Sequence, residues 1–243
     1  MDYNFMLNGR SAVITAGATG IGLETALLFA NHGANIAVVD TESNIEAAKP
    51  RFADLRSFAA FFPSDLEKAG DKEISALCET ILKTIPGIDV LANASGCYSP
   101  GELEKLDSGC FEKSLTTGLL SAVRFTKHLV PNMLRKRRGN IICFAPDVTG
   151  ANTSNAIAVA AAAGAIYSFV RNATIDYIRY QVKVHCVQYA LPGIQLNRPV
   201  LGEPEAIDAA NMALWYACGL SRFVIGETLA VSGGLYHYDE AVK

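Results

Sequence analysis

Thr15-Ala16-Gly17-Ala18-Thr19-Gly20-Ile21-Gly22 is the stretch whose reading decides the fold. The apolar run Ser11–Thr15 feeds straight into it, and an amphipathic stretch over Ile21–His32 follows. A strand, a glycine-rich turn and a helix in that order aim the free N–H groups of the helix start at an anion. Glycines let a pyrophosphate approach the backbone closely. A glycine cluster alone is weak, but this one stands inside a β-α-β unit, which is the context the motif demands. The next apolar run ends in Val38-Val39-Asp40. A carboxylate about 20 residues beyond the glycines accepts hydrogen bonds from the ribose diol of NAD and repels the 2′-phosphate of NADP. Two purposes remain open for the loop: dinucleotide binding, or the turn geometry alone.

Outward from the loop, apolar runs alternate with helical stretches along the whole chain. Strands are expected over Ser11–Thr15, Asn35–Asp40, Phe58–Pro63, Val90–Ala92, Asn140–Phe144, Val182–Val187 and Thr228–Val231. Most are continuously apolar rather than alternating, as strands of a parallel sheet covered on both faces must be. Helices are expected over Ile21–His32, Ala69–Lys83, Phe111–Lys136, Ala156–Tyr180 and Pro204–Cys218. Repeated β-α units with short loops give an α/β fold, a single Rossmann-type doubly wound parallel sheet with helices on both faces. No linker, repeat or low-complexity segment divides residues 1–243, so one domain is expected.

Composition narrows the class. Half of the 243 residues are apolar, 19 % are charged and the formal net charge is −3. No bulk positive field is present to hold nucleic acid or an anionic membrane. The one basic cluster, Arg135-Lys136-Arg137-Arg138, lies between a helix pattern and a strand pattern and reads as a solvated loop. Cys78, Cys97, Cys110, Cys143, Cys186 and Cys218 form no CxxC and have no His at zinc-ligand spacing, so no metal site is expected. Their apolar surroundings suit buried reduced thiols and a cytoplasmic location. Met1-Asp2-Tyr3-Asn4 lacks the features of a secretory leader. The longest apolar run, Ala156 to Ile166, is too short to span a bilayer.

On these residues the chain resembles the short-chain dehydrogenase/reductase family over nearly its whole length. The loop is similar to the family's TGxxxGIG, with Ala16 in place of the first glycine. Asp65-Leu66 matches the acidic pair after the third strand, which the family uses to hold adenine. Asn93-Ala94-Ser95-Gly96 resembles NNAG with its second Asn replaced. Phe223-Val224-Ile225-Gly226 and Val231-Ser232-Gly233-Gly234 resemble the closing FVTG and VDGG. The resemblance makes Gly17, Gly20, Ile21, Gly22, Asp40, Asp65, Leu66 and Asn93 the candidate cofactor-binding residues.

It also implies a proton relay, and there this chain departs from the family. A Tyr serves as acid/base, a Lys four residues later lowers its pKa and grips the ribose, a Ser polarises the substrate oxygen, and an Asn completes the path. With the register fixed on Val182–Val187, the Tyr position is Val159 and the Lys position Ala163. The Ser position is Pro146, and the Asn position falls at Gly118. None of the four side chains can move a proton, so no catalytic residue is expected. Tyr167 and Arg171 repeat the four-residue spacing. Eight residues of helix displace them by roughly 12 Å from Val159 and Ala163, far beyond hydrogen-bond reach. Asp147, the ionisable residue beside Pro146, reads as a turn residue, and His128 and His185 as structural polar groups.

Two further departures concern the substrate side. The family's Pro-Gly after the sixth strand aligns with Tyr189-Ala190, where a ring would obstruct the nicotinamide. The actual Pro192-Gly193 comes later, and Leu191–Gly202 leaves a much shortened lid. The small residues of Ala156–Ala165 and the aromatic Leu235-Tyr236-His237-Tyr238 suit subunit contacts. The chain is thus expected to be a non-catalytic subunit of a hetero-oligomeric NAD-dependent alcohol dehydrogenase, partnered with an active paralogue in a heterodimer or heterotetramer. NAD is expected in the active partner, with weak or absent binding here. A rebuilt oxidoreductase site and a dinucleotide sensor are the alternatives.

Overall fold

Seven apolar runs too short for helices pair into one sheet, because a buried backbone must find its hydrogen-bond partners in a ladder. The computed structural model describes residues 6–55, 57–85, 87–96, 99–147, 155–189 and 205–233. The strands are β1 (Ser11–Thr15), β2 (Asn35–Asp40), β3 (Ala59–Pro63), β4 (Val90–Asn93), β5 (Gly139–Pro146), β6 (Val182–Tyr189) and β7 (Thr228–Val231). All pair in parallel, in the order β3-β2-β1-β4-β5-β6-β7. The helices are α1 (Gly20–Asn31), α2 (Glu42–Ala48), α3 (Asp71–Thr84), α4 (Ser108–Leu115), α5 (Ser121–Lys136), α6 (Ile157–Tyr177) and α7 (Ala206–Ala217).

Each face of the sheet carries its own core. Val13, Leu91, Ile141 and Val184 pack with Ile74, Phe125, Leu129 and Val170 from α3, α5 and α6. Ile14, Ile36, Val38 and Ile142 pack with Phe29, Ala213 and Tyr216 from α1 and α7. The expected doubly wound architecture is the one found. The helical segment Ile157–Tyr180 has the length and apolarity to cross a membrane. Its Ala158, Val159, Ala162, Ala163, Ile166 and Val170 are buried inside the fold, beside β5 and β6.

Three expectations need correction. The helix read over Phe111–Lys136 starts three residues earlier and is interrupted by a π-helical turn at Thr116–Leu120, which carries Gly118. The short α2 was not foreseen; the hydroxyl of Thr41 accepts the Asn44 N–H at its start. The basic run is only in part a solvated loop: Arg137 and Arg138 are exposed between α5 and β5, but the run is also engaged in internal bonds. Arg135 and Lys136 form the last turn of α5, and Arg137 caps it in the left-handed conformation. Lys136 Nζ donates to the carbonyls of Gly87 and Ile88 and to Asp89, and Arg138 donates to Asp89 through Nε and Nη2. Asp89 is buried and also accepts the Ser11 N–H at 3.1 Å. Burial raises the pKa of Asp89, but these hydrogen bonds prevail and hold it below the usual carboxylate range. A charge pattern along the chain cannot reveal this use, because the partner lies about 50 residues away and meets the run only through the β4–β5 pairing.

Cys78, Cys143, Cys186 and Cys218 are free and buried, as expected, while Cys110 is only half-buried and free. Burial pushes the thiols of Cys78 and Cys143 up to about 12, which makes them unreactive. Cys97 lies outside the described residues. His128 bridges α5 to α3 through Asp71, at 3.0 Å. His185 is fully buried, stacks on Tyr216 with centroids 4.1 Å apart, and neither ring nitrogen has a partner among the described residues.

Burial lowers the pKa of His185 to about 3, and the nearby Lys183 ammonium adds to this. The folded state therefore keeps the ring neutral, while the unfolded chain protonates it below about 6.5. Stability carried by neutral His185 is complete above pH 6.5 and falls as the pH drops toward 3. His185→Phe keeps the ring stack and removes the titration. Urea unfolding at pH 7 and pH 4.5 is expected to show the variant gaining about 2–3 kcal/mol on the native chain over that interval. A constant difference across the interval would rule the titration out.

Candidate active site

The order β3-β2-β1-β4-β5 reverses the direction of winding between β1 and β4. The loops leaving these strands run to opposite faces, and the crevice between them is where such a sheet binds ligands. Thr15 ends β1 and holds the crevice together. Its hydroxyl accepts the N–H groups of Ala94 at 3.1 Å and Ser95 at 3.3 Å, fastening the loop after β4 to the glycine loop. This role was not visible in the sequence.

The glycine loop has the shape that its residues suggested. A Cβ on Gly22 would lie 2.1 Å from the Ala16 carbonyl oxygen, and one on Gly17 would lie 2.9 Å from that of Ile14. Gly20 has φ +48°, the left-handed conformation that glycine adopts freely. Ala16 also sits there, at φ 49°, where the family has glycine. Thr19 provides no side-chain cap to α1, so the N–H groups of its first turn are left for an external acceptor. Gly20 and Ile21 line the crevice itself.

Asp40 departs from its expected role. It is buried, and its carboxylate accepts four internal hydrogen bonds. Oδ2 takes the Ala18 N–H at 3.1 Å and the Thr19 hydroxyl at 3.4 Å. Oδ1 takes the Thr41 N–H at 2.8 Å and Asn44 Nδ2 at 2.7 Å. A carboxylate offers about four lone-pair sites. All are in use, so Asp40 staples the glycine loop to α2, and a ribose diol would have to displace one of these donors. The sequence missed Asn44 because α2 itself escaped detection.

The other nucleotide positions differ among themselves. Asp65 pairs with Lys68 at 2.7 Å, and this bond lowers its pKa. Leu66 is buried in the core. Asn93 is buried with Nδ2 3.8 Å from Cys143 Sγ, and its Oδ1 has no partner among the described residues.

Gly118 from the π-helical turn, Pro146 from β5, and Val159 and Ala163 from α6 line one cavity of about 290 Å³, together with Ala94, Ala162, Ile166 and Tyr189. The four positions assigned from sequence spacing therefore converge in space. A Cβ on Gly118 would lie 3.4 Å from Ala162 Cβ, so α6 closes on the π-helical turn at this point. The hydroxyls in the wall are engaged: Ser95 donates to the Thr117 carbonyl, and Ser114 to that of Cys110. Tyr189 is the one ionisable side chain among the described residues of the wall, and burial pushes its pKa up to about 12. A tyrosine that serves as acid/base near neutral pH needs a shift in the opposite direction.

Tyr167 does not reach the cavity. Its hydroxyl donates to the Pro146 carbonyl at 2.6 Å, its pKa is raised mainly by burial, and Arg171 points to solvent. Asp147 is buried; its N–H donates to the Tyr189 carbonyl and its carboxylate accepts from Gln188, bracing the ends of β5 and β6. The shortened lid at residues 191–202, Ala190, Pro192-Gly193 and Leu235-Tyr236-His237-Tyr238 lie outside the described residues.

The residues thus fit a dinucleotide on one side only. The glycine loop would accept a pyrophosphate, while the residues expected at the adenosine are engaged elsewhere and the nicotinamide end is walled by apolar side chains.

A sheet wound in this order, with a glycine loop at its switch point, defines the Rossmann-type dinucleotide-binding fold class. The chain belongs to the short chain dehydrogenase family, whose model matches residues 10–197. It is 31 % identical over 255 residues to momilactone A synthase of Oryza sativa subsp. japonica, covering 94 % of this chain and 90 % of that protein. It is 26 % identical to the 7alpha-hydroxysteroid dehydrogenase of Escherichia coli K12, covering 95 % and 96 %. In structure it is similar to a short-chain dehydrogenase/reductase from Burkholderia xenovorans, with TM-score 0.87, 23 % identity and coverage of 97 % and 99 %. The Escherichia coli relative is a dehydrogenase by name, and the structural likeness concerns the fold.

Asp40→Ala leaves four donors without their acceptor, two of them backbone N–H groups of the loops. It is expected to destabilise the protein by about 2–3 kcal/mol in urea unfolding, the range for orphaned buried donors. A loss below ~0.5 kcal/mol would mean that the four bonds do not hold the loop.

Proposed function

We propose that this chain is a non-catalytic subunit of a hetero-oligomeric NAD-dependent alcohol dehydrogenase of the hydroxyacyl-CoA type, supporting an active paralogue in a heterodimer or heterotetramer in the cytoplasm. The carrying observation is the cavity wall: Gly118, Pro146, Val159 and Ala163, the positions that the family resemblance gives to the proton relay, line one cavity, and none of these side chains can donate or accept a proton. Loss of a positioned acid/base alone costs about 10²–10⁴ in rate. The fold around the lost relay is retained in both of its cores, which favours continued use of its surface.

That surface has a suitable face. Ile157, Ala161, Gly164, Ser168, Arg171 and Ile175 recur along the exposed side of α6 at helical spacing. Small residues at its centre allow another helix to approach closely. Ile175, 73 % exposed, and Ile157, 41 % exposed, supply apolar contact at either end. The chain resembles the inactive subunit of the two-subunit 2-[hydroxy(phenyl)methyl]succinyl-CoA dehydrogenase of anaerobic toluene degradation, and an assembly of that kind is the reading proposed.

NAD belongs to the active partner in this proposal, where it supplies the hydride acceptor. In this chain Asp40, Asp65 and Leu66 are committed to internal contacts, so nucleotide binds weakly. Ligand stabilisation follows RT ln(1 + [L]/Kd), so about 1 mM NAD is expected to raise the Tm of the isolated chain by less than ~1 °C. A rise of several degrees without a partner would favour a dinucleotide sensor instead.

Purification of the tagged chain from its native host is expected to bring down a paralogue with an intact Tyr-x-x-x-Lys. Native mass spectrometry would give the stoichiometry. The complex is expected to reduce NAD with an alcohol substrate, and the isolated chain to turn over at least ~10⁴-fold more slowly. Comparable turnover by the isolated chain overturns the proposal and supports a rebuilt oxidoreductase site.

A further inference from the structure

A second cavity, of about 440 Å³, opens at the opposite end of the sheet, where β5 begins at Gly139 and β6 at Val182. The eight residues of β5 separate it from Pro146 and the crevice by roughly 25 Å. Arg10, Arg137, Arg138, Lys183 and Arg222 line it, and no Asp or Glu does so among the described residues. The whole chain has a net charge of −3, so five cations around one concavity are a local excess rather than a reflection of composition.

The cationic groups are held in place. Arg10 Nη1 donates to the Ala217 carbonyl at 3.3 Å, and Arg137 Nη2 donates to that of Arg179 at 3.0 Å. The Arg222 guanidinium lies 4.5 Å from the centroid of the Phe223 ring, and Phe223 is 81 % exposed. Each guanidinium has five N–H donors, so those of Arg10 and Arg137 keep most of theirs for a ligand. Arg138 is different, since Asp89 takes its Nε and Nη2. Asp89 is equally bound to Lys136, and it compensates no other cation of the cleft.

Lys183 is the most informative member. It is half-buried, and its ammonium has no hydrogen bond or ion pair with any described residue. Burial and the like charge of Arg10 lower its ammonium pKa. A desolvated cation beside another cation is unfavourable unless a counter-charge is supplied. The fold keeps this arrangement, and a bound anion would relieve it.

We propose that this cleft binds a small phosphate-bearing anion, with the phosphoryl oxygens on Lys183, Arg10 and Arg222 and any apolar part of the ligand against Phe223 and Ile225. Forked guanidinium groups match phosphate oxygens in a bidentate manner. The inference is independent of the fate of the active site, because it uses none of those residues.

Isothermal titration of the full chain with inorganic pyrophosphate at about 20 mM salt tests it, since screening is weak there. Saturable binding with Kd below about 1 mM is expected. Arg222→Gln and Lys183→Gln are each expected to weaken it at least ~10-fold. Lys68→Gln, on a remote exposed lysine, leaves it unchanged. Arg222 is exposed, so its variant keeps the test informative if Lys183→Gln does not fold. Non-saturating binding overturns the proposal. So does binding that Arg222→Gln leaves intact, or that Lys68→Gln weakens equally, since either would place the anion elsewhere. Adenosine diphosphate as a second probe separates ligand types: tighter binding than pyrophosphate, lost in Arg222→Gln, supports an organic phosphate.

Discussion

The parallel pairing of β1 with β2 on one side and β4 on the other governs the molecule. Parallel strands must be joined by helical crossovers of one hand, so the chain leaves β1 toward one face of the sheet and β4 toward the other. The crevice between the two loops is a consequence of that topology and persists whatever side chains line it. Thr15 and Asp40 then set its edges. One hydroxyl ties the β4 loop to β1, and one carboxylate ties the glycine loop to α2. The scaffold of a dinucleotide site is therefore maintained by internal bonds that need no dinucleotide.

This separates two quantities that are usually found together in such folds. The glycines at 17, 20 and 22 are required by backbone sterics, since side chains there would strike Ile14 and Ala16 or strain the turn. They would remain under a purely structural demand. The relay positions carry no such demand. Val159 and Ala163 are buried on α6 and contribute to its packing as apolar side chains, at no cost to the fold. Ala16 at positive φ is a small strain tolerated in a loop that the surrounding bonds hold fast. Retained glycines are accordingly weak testimony for nucleotide binding.

Electrostatics divides the two ends of the sheet. At the carboxyl ends of the strands, charge is consumed internally or absent, and the cavity wall is apolar. At the amino ends, the basic run and its neighbours gather around Asp89 and overflow it, leaving cations without carboxylate partners. A net charge of −3 conceals this asymmetry completely.

The sequence by itself determined the strands to within a few residues and the doubly wound topology. Both follow from local periodicity, which a linear reading can measure, whereas Gly118, Pro146, Val159 and Ala163 were singled out only through the family resemblance. Helix α2 and the π-helical turn escaped it: a seven-residue helix is too short to show a period, and nothing around Gly118 announces an extra residue per turn. Only the tertiary structure decided how charge and hydrogen bonds are spent. Asp40 reads as a ribose ligand until its four donors are counted, and Arg135–Arg138 reads as a loop until Asp89 is placed beneath it. The physical reason is that a polar group's function depends on which partners already satisfy it. Partners such as Asp89 lie dozens of residues away along the chain.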